Sequence, residues 1–400
     1  MKKVLSVILV LAMCLSLLAA CGEKEPVAET TPPTETAPST ETTAPETTPE
    51  AATTTFGLEP FAETQTLRIG FFTGSPLSYP FLFAEKLGYF DELNIDVEFV
   101  SFTGGPAMIE AYKEWDIASC GEGGLCIAMK KSAEFGLKII DITDYEENLA
   151  LFARADSPLA QDPTNPENWK GTEWVYPTGT TAQAVLVSAL AQVGLTLADI
   201  KSTNSDNASS LTVFNGGTGD GLGCWNAIAF AAEDAGYVRI GDAGTLGFKA
   251  PCGTVATDEI LSNNAELVED ACILFHRMVE WCYASEENMA QAAAWYLEDC
   301  ENEGMLCTED TAKRVMDWYR GPTTAEWFEL FSATSPDAAG LYTARDLFQA
   351  EKDILVGLDF FIGEGKYTAE DRVSYLDSQV ITDVVAMGAK ARLDAAGITY

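Results

Sequence analysis

Five short clusters combine glycine, hydroxyl and acidic side chains in a way that suits close contact with a small ligand. Thr73-Gly74-Ser75-Pro76 follows a strand-like run, with Tyr79 close behind. Glycine and hydroxyl side chains there let backbone N–H groups approach a bound molecule. Gly104 and Gly105 offer the same close approach, or only a tight turn. Cys120-Gly121-Glu122 is the sharper cluster. A carboxylate enclosed in a cleft is costly unless a positive group pairs with it, and a ligand amine at Glu122 supplies one. The plainer alternative is an exposed loop glutamate. Thr178-Gly179-Thr180-Thr181 opens a helical pattern. Its hydroxyls and N–H groups, with Thr180 and Thr181 foremost, suit a sulfonate, carboxylate or other anion, and equally suit simple capping. Asp220 and Trp225 bracket Gly221-Leu-Gly-Cys. The tryptophan can stack on a ligand, seal a cleft or fill a core.

Other chemistry is short of parts. His276 is the single histidine among 400 residues, which makes triads, histidine zinc sites and haem ligation hard to build. No enzyme, metal or cofactor is expected. The run Gly216 to Gly223 lacks the Lys-Ser/Thr that ends a phosphate loop. Arg68 lies inside a strand and Arg154 near a crossing of the chain, so guanidinium is scarce at these clusters. Lys plus Arg is 24 against 61 Asp plus Glu, a formal charge of -37. Such a chain is a poor partner for nucleic acid or for an anionic bilayer surface. Cysteines 120, 126, 224, 252, 272, 282, 300 and 307 allow disulfides such as 120–126 and 300–307, or stay reduced. Their spacing does not form the usual short metal-binding pairs.

The N-terminus carries its own signals. Lys2 and Lys3 precede an apolar run from Val4 to Leu18, too short for an ordinary spanning helix. Leu18-Ala-Ala-Cys21-Gly resembles a bacterial lipoprotein signal. Residues 1–20 are then a leader, and Cys21 becomes the lipidated first residue. Acyl chains there would hold the protein on the outer face of a cell membrane. From Pro26 to Thr55, 12 of 30 residues are Thr and 6 are Pro. The segment 21–66 therefore reads as an extended stalk, with folding expected from about Leu67.

The rest must position the clusters. Leu67 to Phe72, Ile95 to Phe102, Asp116 to Ser119 and Leu137 to Thr143 read as strands separated by helical patterns. Leu149 to Ala153 is a further apolar run. The pattern restarts at Glu173 to Tyr176, with a helix from Thr180 to Val193 and another expected over Leu222 to Ala232. Gly253 to Thr257 is β-branched. Helical patterns follow over Asn263 to Ala284, Glu286 to Cys300, Thr343 to Leu355 and Leu376 to Ala396. Alternation of this kind predicts an α/β fold with mainly parallel sheets. Two α/β lobes with a ligand cleft between them and a helical C-terminal tail are expected. One lobe is 67–155 plus about 250–400, the other 156–249.

Leu67-Arg-Ile-Gly-Phe, Ala84-Glu-Lys-Leu-Gly-Tyr-Phe and Ile95-Asp-Val-Glu-Phe resemble the start of a periplasmic-type solute-binding protein. The resemblance is to the nitrate, sulfonate, taurine, bicarbonate and thiamine-precursor branch (NMT1/THI5-like). Phe102-Thr-Gly-Gly-Pro, Asp116-Ile-Ala-Ser-Cys-Gly, Trp169-Lys-Gly, Gly179-Thr-Thr-Ala-Gln, Asp220 to Trp225 and Ser262 to Val268 continue it in order. It spans most of Leu67 to Ala284. The resemblance implies a binding protein that closes on a small organic solute, such as an amino-sulfonate, and delivers it to the permease of an ABC importer. It is expected to act as a monomer tethered through Cys21. A solute sensor, a structural surface lipoprotein and a pyrimidine-precursor synthase-like enzyme are the alternatives.

Overall fold

The computed structural model of the chain describes residues 54–400. The expected leader and residues 21–53 of the expected stalk lie outside the described residues. Order begins earlier than Leu67. The Phe61 N–H donates to Leu93 O, Phe56 packs edge-on to Tyr89 and Leu58 is buried. These three apolar residues, which the threonine-rich segment before them lacks, draw 54–64 onto the fold.

The first sheet is laid down by β1 (Gln65–Phe72), α1 (Tyr79–Lys86), α2 (Tyr89–Glu92), β2 (Ile95–Phe102), α3 (Gly105–Glu110), β3 (Ile117–Cys120), α4 (Glu122–Phe135), β4 (Leu137–Ile139) and β5 (Asp144–Tyr145). The chain then crosses to a second sheet through β6 (Leu149–Ala153), α5 (Pro158–Gln161), β7 (Glu173–Tyr176), α6 (Thr181–Gln192), β8 (Lys201–Asn204), α7 (Asn207–Asn215), β9 (Gly221–Trp225), α8 (Asn226–Asp234) and β10 (Val238–Asp242). It returns by β11 (Pro251–Thr257) to the first sheet and runs into a helical tail. The tail comprises α9 (Asp258–Ala284), α10 (Glu286–Asn302), α11 (Glu309–Trp318), α12 (Thr324–Ser332), the small β12 (Thr334–Ser335) and β13 (Leu347–Phe348) pair, α13 (Gln349–Gly363), α14 (Ala369–Asp377) and α15 (Val384–Ala396).

The strand orders are β2-β1-β3-β11-β4, with β5 on β11, and β10-β6-β9-β7-β8. Both sheets are mixed, not mainly parallel. β1 pairs parallel with β2 and β3, and β7 with β8 and β9, but the crossing strands β6 and β11 run antiparallel to their neighbours. A strand that enters from the other lobe arrives from the opposite direction, which local alternation cannot reveal. β6, expected on the first lobe, pairs with β9 and β10, so the crossing falls just before Leu149.

Two further departures have local causes. Leu222 to Ala232 reads as one helix, yet β9 occupies its start and α8 begins only at Asn226. Gly221 permits this: a Cβ there would lie 2.6 Å from the Trp174 indole, so the strand fits only as glycine against β7. Leu376 to Ala396 breaks after Asp377, where Ile381 bridges to Ile139 and extends the first sheet before α15 starts. By contrast α9 changes course at Asn264 (φ -155°), whose side chain accepts from Leu267 N, close to the expected helix start at Asn263. Among the described residues no helix is long and apolar enough to cross a membrane.

Candidate functional site

Four helices start at one enclosed point between the two sheets, and none has a side-chain cap: α3 at Gly104, α4 at Gly121, α6 at Thr180 and α8 at Trp225. Other helix starts divide: those of α1, α2, α13 and α15 also lack a side-chain cap, whereas others carry one. Asp206, Thr257, Ser285, Thr308, Thr323 and Thr368 each accept from the first turn of their own helix. An uncapped start leaves N–H groups without intrahelical acceptors and carries the positive end of the helix dipole. At the start of α6 the Thr180 hydroxyl is turned away from the first turn and donates to Pro177 O at 2.7 Å. The cavity they enclose has a volume of ≈ 40 Å³. That is room for about two or three waters.

One carboxylate faces this space. Glu146 lies on the crossing between β5 and β6 and is buried. Its Oε1 accepts from Ser75 Oγ at 2.9 Å and from Asn226 Nδ2 at 2.8 Å. Burial pushes its pKa up, against hydrogen bonds from Ser75, Asn226 and Cys252. Asn226 holds a left-handed backbone (φ 50°) and its N–H donates to Asn148 O at 3.2 Å. An asparagine tolerates that conformation better than most residues, at some cost. The carboxylate is thus gripped by the loop after β1 on one lobe and by the start of α8 on the other.

The lobes touch beside it. A Cβ on Gly123 would lie 2.5 Å from Gly179 O and 2.9 Å from Thr180 Cα, so the starts of α4 and α6 meet backbone to backbone. Only glycine permits that approach.

The clusters singled out by sequence fall into three groups. Gly104, Gly105, Thr180, Thr181 and Trp225 line the cavity, with Phe72 set edge-on to Trp225 at 6.2 Å. Thr73 lines a neighbouring cavity, Gly74 lies against Met305, and Ser75 backs Glu146. The remainder lie elsewhere. Tyr79 is buried in the first lobe, accepting from Gly74 N at 3.0 Å and donating to Asp299. Cys120 is buried behind Gly124, its thiol pushed up to about 12 by burial. Asp220 sits at the far end of β9 from Trp225, accepting from Glu173 N at 2.9 Å. A strand of this length separates its ends by roughly 15 Å.

Glu122 is the main correction. It is fully buried, both carboxyl oxygens lack partners, and it faces α13 rather than the cavity. Gly357 makes the room: a Cβ there would lie 1.8 Å from Oε1. Burial holds its pKa well above the usual range. On the first turn of α4 its neighbours Gly121 and Gly123 line the cavity while its own side chain points away. Glu146 and Asn226 were missed. The one signal in the sequence is an acidic pair, Glu146-Glu147, one residue ahead of a wholly apolar strand.

Arg154 donates to Gly219, Phe214 and Thr218 carbonyls and braces the second lobe. His276 is wholly buried. Its Nδ1 donates to Pro322 O at 2.8 Å, and its Nε2 faces Asp141 at 3.0 Å. Cysteines 120, 126, 224, 252, 272, 282, 300 and 307 are all free thiols. Among the described residues no group of three or more His, Cys, Asp or Glu is placed to hold a metal ion.

Two mixed sheets joined by paired crossings, with helix starts around an enclosed interlobe cavity, define a protein of the two-lobed periplasmic-binding-protein fold. Residues 75–288 match the family described as NMT1/THI5 like. That is more than half of the chain, which belongs to this family. No curated protein matches the sequence. Similar solved structures include the periplasmic nitrate-binding protein NrtA from Synechocystis PCC 6803, with a TM-score of 0.61 and 11% identity over 84% of this chain and 91% of that one. The ligand-binding component of an ABC-type import system from Staphylococcus aureus, solved with zinc bound, has a TM-score of 0.58 and 12% identity over 82% and 99%. The alkanesulfonate-binding protein SsuA from Xanthomonas axonopodis pv. citri, bound to MOPS, has a TM-score of 0.54 and 17% identity over 65% and 86%. At these identities the likeness is one of fold.

Proposed function

We propose that this protein is an extracytoplasmic solute-binding protein, lipid-anchored at Cys21, that closes on a small organic zwitterion and passes it to an ABC permease. The observation that carries this reading is Glu146 sharing one cavity with the uncapped starts of α4, α6 and α8. Helix starts attract the anionic end of a solute. A buried carboxylate at the same point needs a positive partner, and a solute amine provides it. The solved relatives named for nitrate and alkanesulfonate support the anionic half of this reading; the amine half comes from Glu146 alone. Gly123 against Gly179 supports closure of the lobes over the solute.

The test is a thermal-shift screen backed by native mass spectrometry of the purified protein with whatever it carries. Amino-sulfonates and amino acids are expected to raise the melting temperature. Saturation at about 100 times Kd adds roughly 2.7 kcal/mol to stability. Equal stabilisation by nitrate or by plain alkanesulfonates would remove the amine from the proposal. No stabilisation by any small solute would favour a structural surface lipoprotein instead.

A further inference from the structure

A second cavity adjoins the first. Its volume is ≈ 150 Å³, and Phe72 and Thr103 line both. Phe72, Phe102, Ala208 and Met305 supply its apolar wall and most of its exposed lining, Ser101, Asn207 and Glu303 complete the rim, and the buried Thr73 hydroxyl has no hydrogen-bond partner. Met305 forms the wall opposite the loop after β1. It sits so tightly on Gly74 that a Cβ there would lie 2.2 Å from Met305 Cε. Met305 belongs to the turn between α10 and α11, beyond the family-matched residues 75–288. This wall is therefore supplied by the chain's own helical tail. Methionine is unbranched and polarizable, which suits a wall that moulds to an apolar or aromatic group.

Size separates the roles of the two spaces. The ≈ 40 Å³ cavity at Glu146 has room for few atoms beyond charged ends. An apolar cavity of about 150 Å³ admits a benzene-sized group. We propose that the second cavity is the subsite for an uncharged, ring-sized side group of the same solute, with Met305 and Phe102 holding the ring and Thr73 meeting a polar atom at its base. The solute is then an amino-acid-like zwitterion bearing an aromatic or similar apolar substituent, not a bare amino-sulfonate. This rests on the reading of Glu146 and the helix starts as the site of the charged ends.

Calorimetric titrations with pairs that share one head test it: glycine against phenylalanine, and taurine against N-benzyltaurine. The ring-bearing member of a pair is expected to bind at least tenfold more tightly to the full-length protein. Met305→Trp, which fills the cavity, is expected to cost the ring-bearing member about tenfold and leave the bare member unchanged. Met305→Ala enlarges the cavity without crowding Gly74 and is expected to shift preference from phenylalanine towards tryptophan, so a folding failure of the tryptophan variant does not decide the matter. Equal affinity within each pair, or equal weakening of both members by the substitutions, overturns the subsite and leaves the site of the charged ends standing. If neither pair binds while nitrate does, the zwitterion reading falls and the subsite with it.

Discussion

Glu146 and Glu122 are two buried carboxyl groups with opposite surroundings. Glu146 accepts two side-chain hydrogen bonds and faces a cavity, whereas Glu122 has no partner and faces Gly357. Glu146→Gln keeps the shape and removes the charge. It is expected to weaken amine-bearing solutes by roughly 10- to 100-fold in calorimetric titration, the usual scale for losing one enclosed charge pair. Because burial raises the Glu146 pKa above its ordinary 4.5, the carboxylate proposed to pair with a solute amine is lost early as pH falls. Affinity should drop between neutral pH and 4.5, and the Gln variant should flatten that profile. Glu122→Met should do the reverse of harm. Removing an unsatisfied buried carboxyl is expected to add roughly 1–3 kcal/mol to stability in denaturant unfolding, with solute binding unchanged. A loss of binding in this variant would return Glu122 to the site.

Helix starts are the elements on which the proposed function turns. α4 and α6 approach so closely that their contact depends on the missing side chain of Gly123. Gly123→Ala puts a methyl group into the Gly179 carbonyl. The substitution is expected to hold the lobes apart, weaken the solute by tenfold or more, and enlarge the radius of gyration measured by X-ray scattering with solute present. Each lobe should remain folded, since the clash lies between lobes. An unchanged affinity would show that the contact is not needed for binding. At this scale much was legible in advance. Glycine and hydroxyl turns mark Gly104, Gly105, Thr180 and Thr181, a glycine-rich run marks Trp225, and all five line one cavity. Asp220 lies away from the cavity because the expected helix over Leu222 to Ala232 is replaced at its start by β9, Gly221 to Trp225. A helix would bring both ends of that run within a turn or two, whereas a strand sends them to opposite edges of the sheet.

The whole molecule stores a pH dependence apart from the cavity. Asp144, at the edge of the first sheet, accepts from the backbone N–H groups of Tyr145 at 2.8 Å and Arg320 at 3.1 Å. Burial, aided by the nearby Glu146, pushes its pKa from 3.8 to about 8. The folded protein then keeps a proton that the unfolded chain releases. This favours the fold fully below pH 3.8 and is lost as pH rises towards 8. Asp144→Asn is expected to flatten stability against pH over that window, by an amount on the order of 6 kcal/mol at most, and to raise the melting temperature at pH 8. At the other end of the chain, Cys21→Ala is expected to move the protein from the membrane fraction to the medium. Retention in the membrane would mean that the anchor lies elsewhere.

Composition and local pattern alone determined a good deal: an acidic chain with one histidine, alternating α/β units and a set of glycine and hydroxyl turns. These follow from properties that neighbouring residues share, such as periodicity, turn chemistry and charge. Which carboxylate enters the cavity was decided only in three dimensions. Glu122 and Glu146 each follow a short strand, but rotation about the first turn of α4 aims one at Gly357, while the path of the crossing segment aims the other between the lobes. The direction of β6 and the seating of Met305 on Gly74 depend likewise on segments far apart in the chain, and no local preference encodes where those segments will meet.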